Sequence, residues 1–325
     1  MLSARRRFLR LAGGAVALPA LARGARAETY PTRPVRLIVG FAAGQAIDIL
    51  ARLVGNWLSE RLSQQFLVDN RPGAGGNIAA EAVVHAAPDG YTLLVIGANN
   101  AINATLYHKL NFNLIRDIEP VTGIYRVHQV MDVNPTFPAR TVAEFISHAK
   151  ANAGKLNFAS SGIGSVAHVT GEYFKMLTGV NMVHVPYRGA PQALTDLLGG
   201  QVQLMFDNLP SSIDLIKAGK LRALGVSSPA RLDGLPEVPT IGETVHGFET
   251  VAFAGLGAPK GTPAAIIDKL STEVNAALAD PKLKARIAEL GGAPMPLSPA
   301  GFAKLLTEET ERWAKVVRSA DLSAD

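Results

Sequence analysis

Short apolar runs alternate along the chain with longer stretches whose apolar residues recur every three or four positions. The first run, Val35-Arg36-Leu37-Ile38-Val39, has the length and β-branching of a strand. After a glycine-containing turn, Leu50, Leu53, Val54, Trp57, Leu58 and Leu62 fall on one helical face. That spacing predicts a helix over 46–63 lying on a sheet. A second strand is expected over 66–69, a turn at Arg71-Pro72-Gly73-Ala74-Gly75-Gly76, and a helix over 77–86. Pro88-Asp89-Gly90 then turns the chain into a third strand over 91–96. Strand, helix, strand, helix, strand in this order makes parallel pairs with right-handed crossovers.

The same grammar returns later. Strands are expected over 156–159, 183–185, 202–206 and 221–226, with helices over 165–177, 191–198 and 213–218 between them. The tail reads as helices over 263–278, 281–290 and 300–317, the last with Phe302, Leu305, Leu306, Trp313 and Val317 on one face. Two α/β lobes plus a helical return outline a hinged binding protein. One lobe would take 28–125 with 252–325 and the other 126–251, the chain crossing near 125–131 and 251–255. Few aromatics and many Ala, Val, Leu and Ile favour a largely parallel sheet covered by helices.

The start of the chain has a different pattern. Arg5-Arg6-Arg7-Phe8-Leu9-Arg10 precedes an apolar run from Leu11 to Leu21 and then Ala25-Arg26-Ala27. A basic start, a short apolar stretch and a small-x-small site read as an export signal over 1–27. The run is too short to span a bilayer, which takes about 20 residues. The arginine pair fits a twin-arginine signal, and a Sec signal is the other reading. The segment holds six of the 32 basic residues and no acid, so the remainder carries 26 bases against 27 acids, a net of −1. No basic patch is left for nucleic acid or a membrane surface. The chain has no cysteine, which excludes disulfides, thiolate metal sites and a cysteine nucleophile. A free periplasmic monomer is the expectation, with no cofactor.

Two strand-to-helix loops carry candidate chemistry: Phe41-Ala42-Ala43-Gly44-Gln45-Ala46-Ile47-Asp48 and Ser160-Ser161-Gly162-Ile163-Gly164-Ser165. Such turns expose backbone N–H groups at the positive end of a helix dipole and bind anions, carboxylates included. Each loop alone also reads as an ordinary helix cap. His168 sits one turn into the second helix, open to ligand contact or to a local bond. Asp207-Asn208 and Tyr187-Arg188-Gly189 follow strands and are candidate wall residues, since ligands of open α/β sheets bind beyond the carboxyl ends. The seven histidines show no metal-ligand spacing, and neither a P-loop, a complete dinucleotide loop nor a nucleophile elbow occurs.

Several words taken together carry a resemblance. They include Asp69-Asn70-Arg71-Pro72-Gly73-Ala74-Gly75-Gly76-Asn77, Ala87-Pro88-Asp89-Gly90-Tyr91, Val183-His184-Val185-Pro186-Tyr187-Arg188-Gly189, Met205-Phe206-Asp207 and Ala258-Pro259-Lys260-Gly261-Thr262-Pro263. The chain resembles the periplasmic receptors of tripartite tricarboxylate transporters, also called Bug-type receptors, over nearly all of 28–320. The resemblance implies a two-lobed Venus-flytrap fold of the type II periplasmic-binding class. Such a protein captures a small carboxylate and delivers it to membrane transporter subunits, without catalysis. It places Ala42, Ala43, Gly44, Gln45 and Asp48 on one side of the ligand and Ser161, Gly162, Gly164, Ser165 and His168 on the other. Ala190, Gln192 and Asp207 lie nearby in that mapping. Family members usually carry two glycines where this chain has Gly44-Gln45, and often a small hydroxyl residue where Ile47 stands. A ligand sensor, or a transferase on a similar scaffold, are the alternatives; the latter's chemistry wants a cysteine.

Overall fold

The computed structural model describes residues 30–319 and 322–324, so the expected export signal lies outside the described residues. From Arg33 onward the chain forms one contact unit around a mixed sheet. β1 (Val35–Val39) runs between β2 (Phe66–Asn70) and β3 (Thr92–Gly97), parallel to both. β5 (Asn157–Ser160) runs between β6 (Val183–Pro186) and β7 (Leu204–Asn208), again parallel. These triplets follow from the strand–helix alternation. Antiparallel strands join them, so the sheet is mixed where composition led to a largely parallel one. β9 (Val251–Pro259) pairs with β3 and with β4 (Ile118–Val133), and β4 pairs in turn with β7 and β8 (Arg222–Val226). The order is β2-β1-β3-β9-β4-β7-β5-β6.

β4 belongs to both halves of the sheet. Its first part, Ile118 to His128, registers with β9, and from Gln129 onward it pairs with β7 and β8. The register shifts three times, after Pro120, Gly123 and Met131. Bulges of this kind break the alternation of apolar and polar positions, which hid the strand in the sequence. At the crossing Gln129 and Ser227 exchange bonds: each backbone N–H donates to the other residue, at 2.8 Å both times. Ser227 Oγ donates to Thr250 O at 2.6 Å, and Gln129 Oε1 accepts from the Thr250 and Thr170 hydroxyls. All four residues are buried.

Helices hold the loops in place through apolar faces. α1 (Ala46–Leu62) buries Leu50, Val54 and Leu58 against the sheet, with Leu53, Trp57 and Leu62 half-buried at its flanks. α6 (Val166–Thr178) sends Phe174 into a cluster with Phe145, Phe206 and Phe248. Each buried ring contributes about 1.5–3 kcal/mol. Gly171 on α6 rests on the Phe158 ring with no room for a methyl group, so the helix approaches β5 closely. α11 (Pro299–Ser319) buries Phe302, Leu306, Trp313 and Val317 and packs on β4 and on α3 (Ala98–Leu106). α7 (Ala190–Leu198) and α8 (Leu209–Lys217) cover the opposite face of the second half-sheet. Among the described residues no helix is long and apolar enough to cross a membrane.

Candidate functional site

Four helix N-termini meet at one cavity between the two halves of the sheet. α1 and α6 follow β1 and β5 through the two loops, while α3 and α8 start directly at the ends of β3 and β7. The wall takes Phe41, Gln45 and Ile47 from the start of α1, Gly97, Ala98 and Asn99 from α3, Ser161, Ser165 and Val166 from α6, and Asn208 from α8. Tyr125, Ala252 and Phe253 complete it from β4 and β9. None of these thirteen residues carries a charged side chain.

The first N–H groups of each helix have no partner inside the helix and point out of its end. At α1, Ala46 donates to Ser211 Oγ of α8 at 3.0 Å, and Ile49 is the first residue bonded back, to Gln45 O at 2.9 Å. The amides of Ile47 and Asp48 have no carbonyl partner within the helix. At α6, His168 N–H donates to its cap, Ser165 Oγ, at 3.3 Å, and Val169 bonds back to Ser165 O. The amides of Val166 and Ala167 likewise have no carbonyl partner within their helix. With four helix ends of partial positive charge at one point, the cavity attracts an anion without a cationic side chain.

The two loops are locked by different chemistry. Asp48 is buried and accepts from Gly44 N–H and Asn70 Nδ2, both at 2.9 Å, while Arg52 pairs with it at 2.8 Å. Burial pushes its carboxyl up, but the Arg52 bond and the Gly44 and Asn70 donors together hold it below the ordinary value. The second loop uses neutral groups. Ser165 Oγ donates to Gly162 O at 2.6 Å, Gly162 N–H donates to Ser160 Oγ at 3.1 Å, and Gly164 N–H donates to His168 Nδ1 at 3.4 Å. His168 stacks on His184 at 4.1 Å, and His184 stacks on Phe158 at 4.9 Å. Burial, with Lys175 nearby, lowers His168 to about 4. His184 falls to about 3 through burial and the neighbouring His168. Both imidazoles are therefore neutral at neutral pH.

The halves are in contact around the cavity, which measures about 30 Å³, room for little more than a water. A Cβ on Gly189 would come 2.9 Å from Ala42 Cβ, and one on Gly75 would come 2.8 Å from Ile163 O. Glycine at both places is what lets the backbones approach.

Of the residues singled out from sequence, the cavity wall brings together Gln45, Ser161, Ser165 and Asn208. Gln45 Nε2 is buried without a partner, and Ser161 is half-buried. Ala42, Ala43 and Gly44 are loop residues outside the wall, Gly44 with a φ of +85°. Asp48 and His168 stand behind the loops that they lock, Gly164 presses on Asn103, and Gly162 faces a separate groove. Ala190 is buried at the start of α7, and Gln192 is exposed on it. Asp207 is buried one residue behind Asn208, which takes the place in the wall. The sequence reading missed Asn99, Tyr125, Ala252 and Phe253. Gly97-Ala98-Asn99-Asn100 could have been found, since a strand followed by Gly and Asn marks a helix start. Gly97 N–H in fact donates to Asn100 Oδ1 at 2.9 Å.

Comparison with known proteins defines the class. The family described as tripartite tricarboxylate transporter family receptor matches residues 50–322. Protein BugT of Bordetella pertussis (strain Tohama I) is 34% identical over 315 residues, covering 96% of this chain and 97% of BugT. Among solved structures, R. palustris Rpa4515 with adipate is 38% identical with a TM-score of 0.88, covering 90% of this chain and 99% of that one. The periplasmic binding protein BugD is 34% identical with a TM-score of 0.87, covering 90% and 99%. The fold is thus the two-lobed α/β fold of periplasmic binding proteins. The chain belongs to the tripartite tricarboxylate transporter receptor family.

Proposed function

We propose that this protein is an exported, non-catalytic solute receptor that binds a small organic carboxylate and delivers it to tripartite tricarboxylate-type membrane subunits. One observation carries the reading: four helix N-termini converge on a cavity without a charged side chain. The ligand's carboxylate would take the amides of Ile47, Asp48, Val166 and Ala167, with the Ser161 hydroxyl and Gln45 Nε2 as side-chain donors. Phe41, Ile47, Tyr125 and Phe253 would hold its carbon skeleton. Lobes at 28–125 with 252–325 and at 126–251 would close about the β4 crossing between His128 and Gln129. Adipate, bound by the R. palustris relative, is the first probe to use.

The test is a thermal-shift screen of adipate, succinate and shorter monocarboxylates. A carboxylate present at 100 times its Kd should stabilise the protein by about 2.7 kcal/mol. A screen in which none of them raises Tm would overturn the reading.

A further inference from the structure

Two carboxyls lie buried behind the cavity wall, and no cation faces them. Asp132 on β4 and Asp207 on β7 are 0% and 3% exposed. Val130 is the register partner of Asp207, so Asp132, two residues on, shares its face of the sheet. Three of their four oxygens make no hydrogen bond of good geometry, and the buried Ser212 Oγ on α8 is the one hydroxyl close enough to act on both carboxyls. Two carboxylates this close in a dry interior cannot both ionise, so the pair retains at least one proton.

The pair is also joined to the ligand cavity. Asp207 directly precedes Asn208, the wall residue that starts α8, and its carboxyl faces the Asn208 N–H. Three residues further, Ser211 accepts the Ala46 N–H of α1 across the cleft. A charge on Asp207 therefore occupies the base of one of the four positive helix ends that would receive the ligand's carboxylate.

We propose that the Asp132–Asp207 pair is a proton site linked to the cavity, so that capture of a carboxylate is accompanied by uptake of a proton at Asp207. The ligand's charge replaces the aspartate's at the α8 terminus. Burial pushes Asp207 up to about 7, and burial with the Asp207 charge pushes Asp132 well above the usual carboxylate range. Asp207, whose carboxyl faces the α8 terminus, is the member of the pair placed to respond to the ligand. Burial also lowers the imidazole of His128 on β4. His168 and His184 are neutral above about 4 and about 3, and Asp48 is ionised against Arg52. On the elements covering the pair, Asp196 of α7 accepts from the Tyr187 hydroxyl, Asp214 and Lys217 of α8 are exposed, and Arg222 of β8 is held by the carbonyls of Pro135, Phe137 and Ala139. Asp207 is the one ionised neighbour that acts on Asp132, and no charged side chain acts on Asp207.

The inference rests on the anion-cavity reading above. Its test is calorimetric titration of the full protein with adipate at pH 7 in two buffers of different ionisation heat. Uptake of about half a proton per adipate is expected, with affinity rising roughly tenfold from pH 8.5 to 6.5, where adipate itself does not titrate. Asp207→Asn should abolish the proton uptake and flatten the pH profile. Asp132→Asn, which leaves Asp207 buried and free to titrate, should preserve both, and it serves if Asp207→Asn does not fold. Adipate binding with a heat independent of buffer, or a pH profile that survives in Asp207→Asn or is lost in Asp132→Asn, would overturn the proton site alone. No binding by adipate or any other carboxylate of the screen would overturn the cavity reading and this inference with it.

Discussion

The two loops that face the cavity present the same thing, helix amides aimed at an anion, and they are fastened by opposite means. In the first loop a carboxylate does the fastening: Asp48 ties Gly44 and Asn70 and is itself held by Arg52. In the second loop the ties are hydroxyls and imidazoles, with Ser160, Ser165, His168 and His184 all neutral. An acid beside an anion site is tolerable when its charge is turned away and matched. A histidine there needs no counter-ion, but it must stay unprotonated. The first loop is therefore fastened while Asp48 is ionised, and the second only as long as its imidazoles remain neutral.

Backbone substitutions should separate the loops most. Gly164 has a φ of +79°, and a Cβ on it would strike Asn103 Oδ1 as well as Leu106 at 3.2 Å. Gly164→Ala should cost about 3 kcal/mol in urea unfolding, from left-handed strain plus overpacking. Gly44 has a φ of +85°, but its Cβ would meet only Pro191 Cγ at an ordinary 3.5 Å. Gly44→Ala should cost only the strain, about 1–2 kcal/mol. Equal losses would show that the two loops are not differently confined.

Acid comes next. His168 is lowered in the folded state, so the unfolded chain takes up its proton first as pH falls. Its contribution is intact above pH ~6.5 and is lost progressively down to about pH 4, where the folded group also protonates, a change of about 3 kcal/mol. Asp207 acts in the other direction, because its raised carboxyl stabilises the fold as pH falls from about 7 toward the unfolded value of 3.8. The histidine effect is thus read as a difference: His168→Asn, which keeps an acceptor for Gly164, should lose stability less steeply than wild type between pH 6.5 and 4. Parallel curves for the two proteins would remove the neutral-imidazole account of the second loop.

Smaller effects distinguish the fastenings themselves. Asp48→Asn should cost about 2 kcal/mol at pH 7, the worth of hydrogen bonds to a charged group, reduced by screening of the half-exposed Arg52. Asp48 is lowered in the fold, so its contribution is present above the unfolded value of 3.8 and is lost as pH falls through the lower folded one. The cost of Asp48→Asn should accordingly be the same at pH 7 and pH 5. Ser165→Ala removes an N-cap and should cost about 1 kcal/mol. Its hydroxyl already donates to Gly162 O, so any loss of ligand affinity would come through the loop, not through a missing contact.

The sequence made much of this legible. Both parallel triplets, the two loops and the helical return follow from apolar spacing and glycine-containing turns. What it hid was the antiparallel centre. β4 and β9 carry apolar residues on both faces, and Pro120 and Gly123 interrupt β4 with bulges, so neither period shows. The α3 terminus was hidden for a related reason: with no loop between β3 and the helix, Gly97 to Asn103 reads as irregular polar chain. At the site, spacing located the loops but not which way their side chains turn. Asp48, His168 and Asp207 are polar residues in the right segments, and each points behind the cavity wall.

The central claim is that an anion is held by helix amides and not by a cationic side chain. Arg188 lines the groove beside the cleft, and Arg71, paired with Asp69, directly precedes Pro72 of that groove; they are the cations that would contradict it. The direct test is calorimetry of adipate, and of its diamide, with wild type and with the Arg71→Gln/Arg188→Gln variant. The account predicts that adipate binds both proteins within about threefold of each other, since screened surface charges contribute little, and that the uncharged diamide binds neither. A diamide that binds as well as adipate, or an adipate affinity that collapses in the double variant, would contradict it.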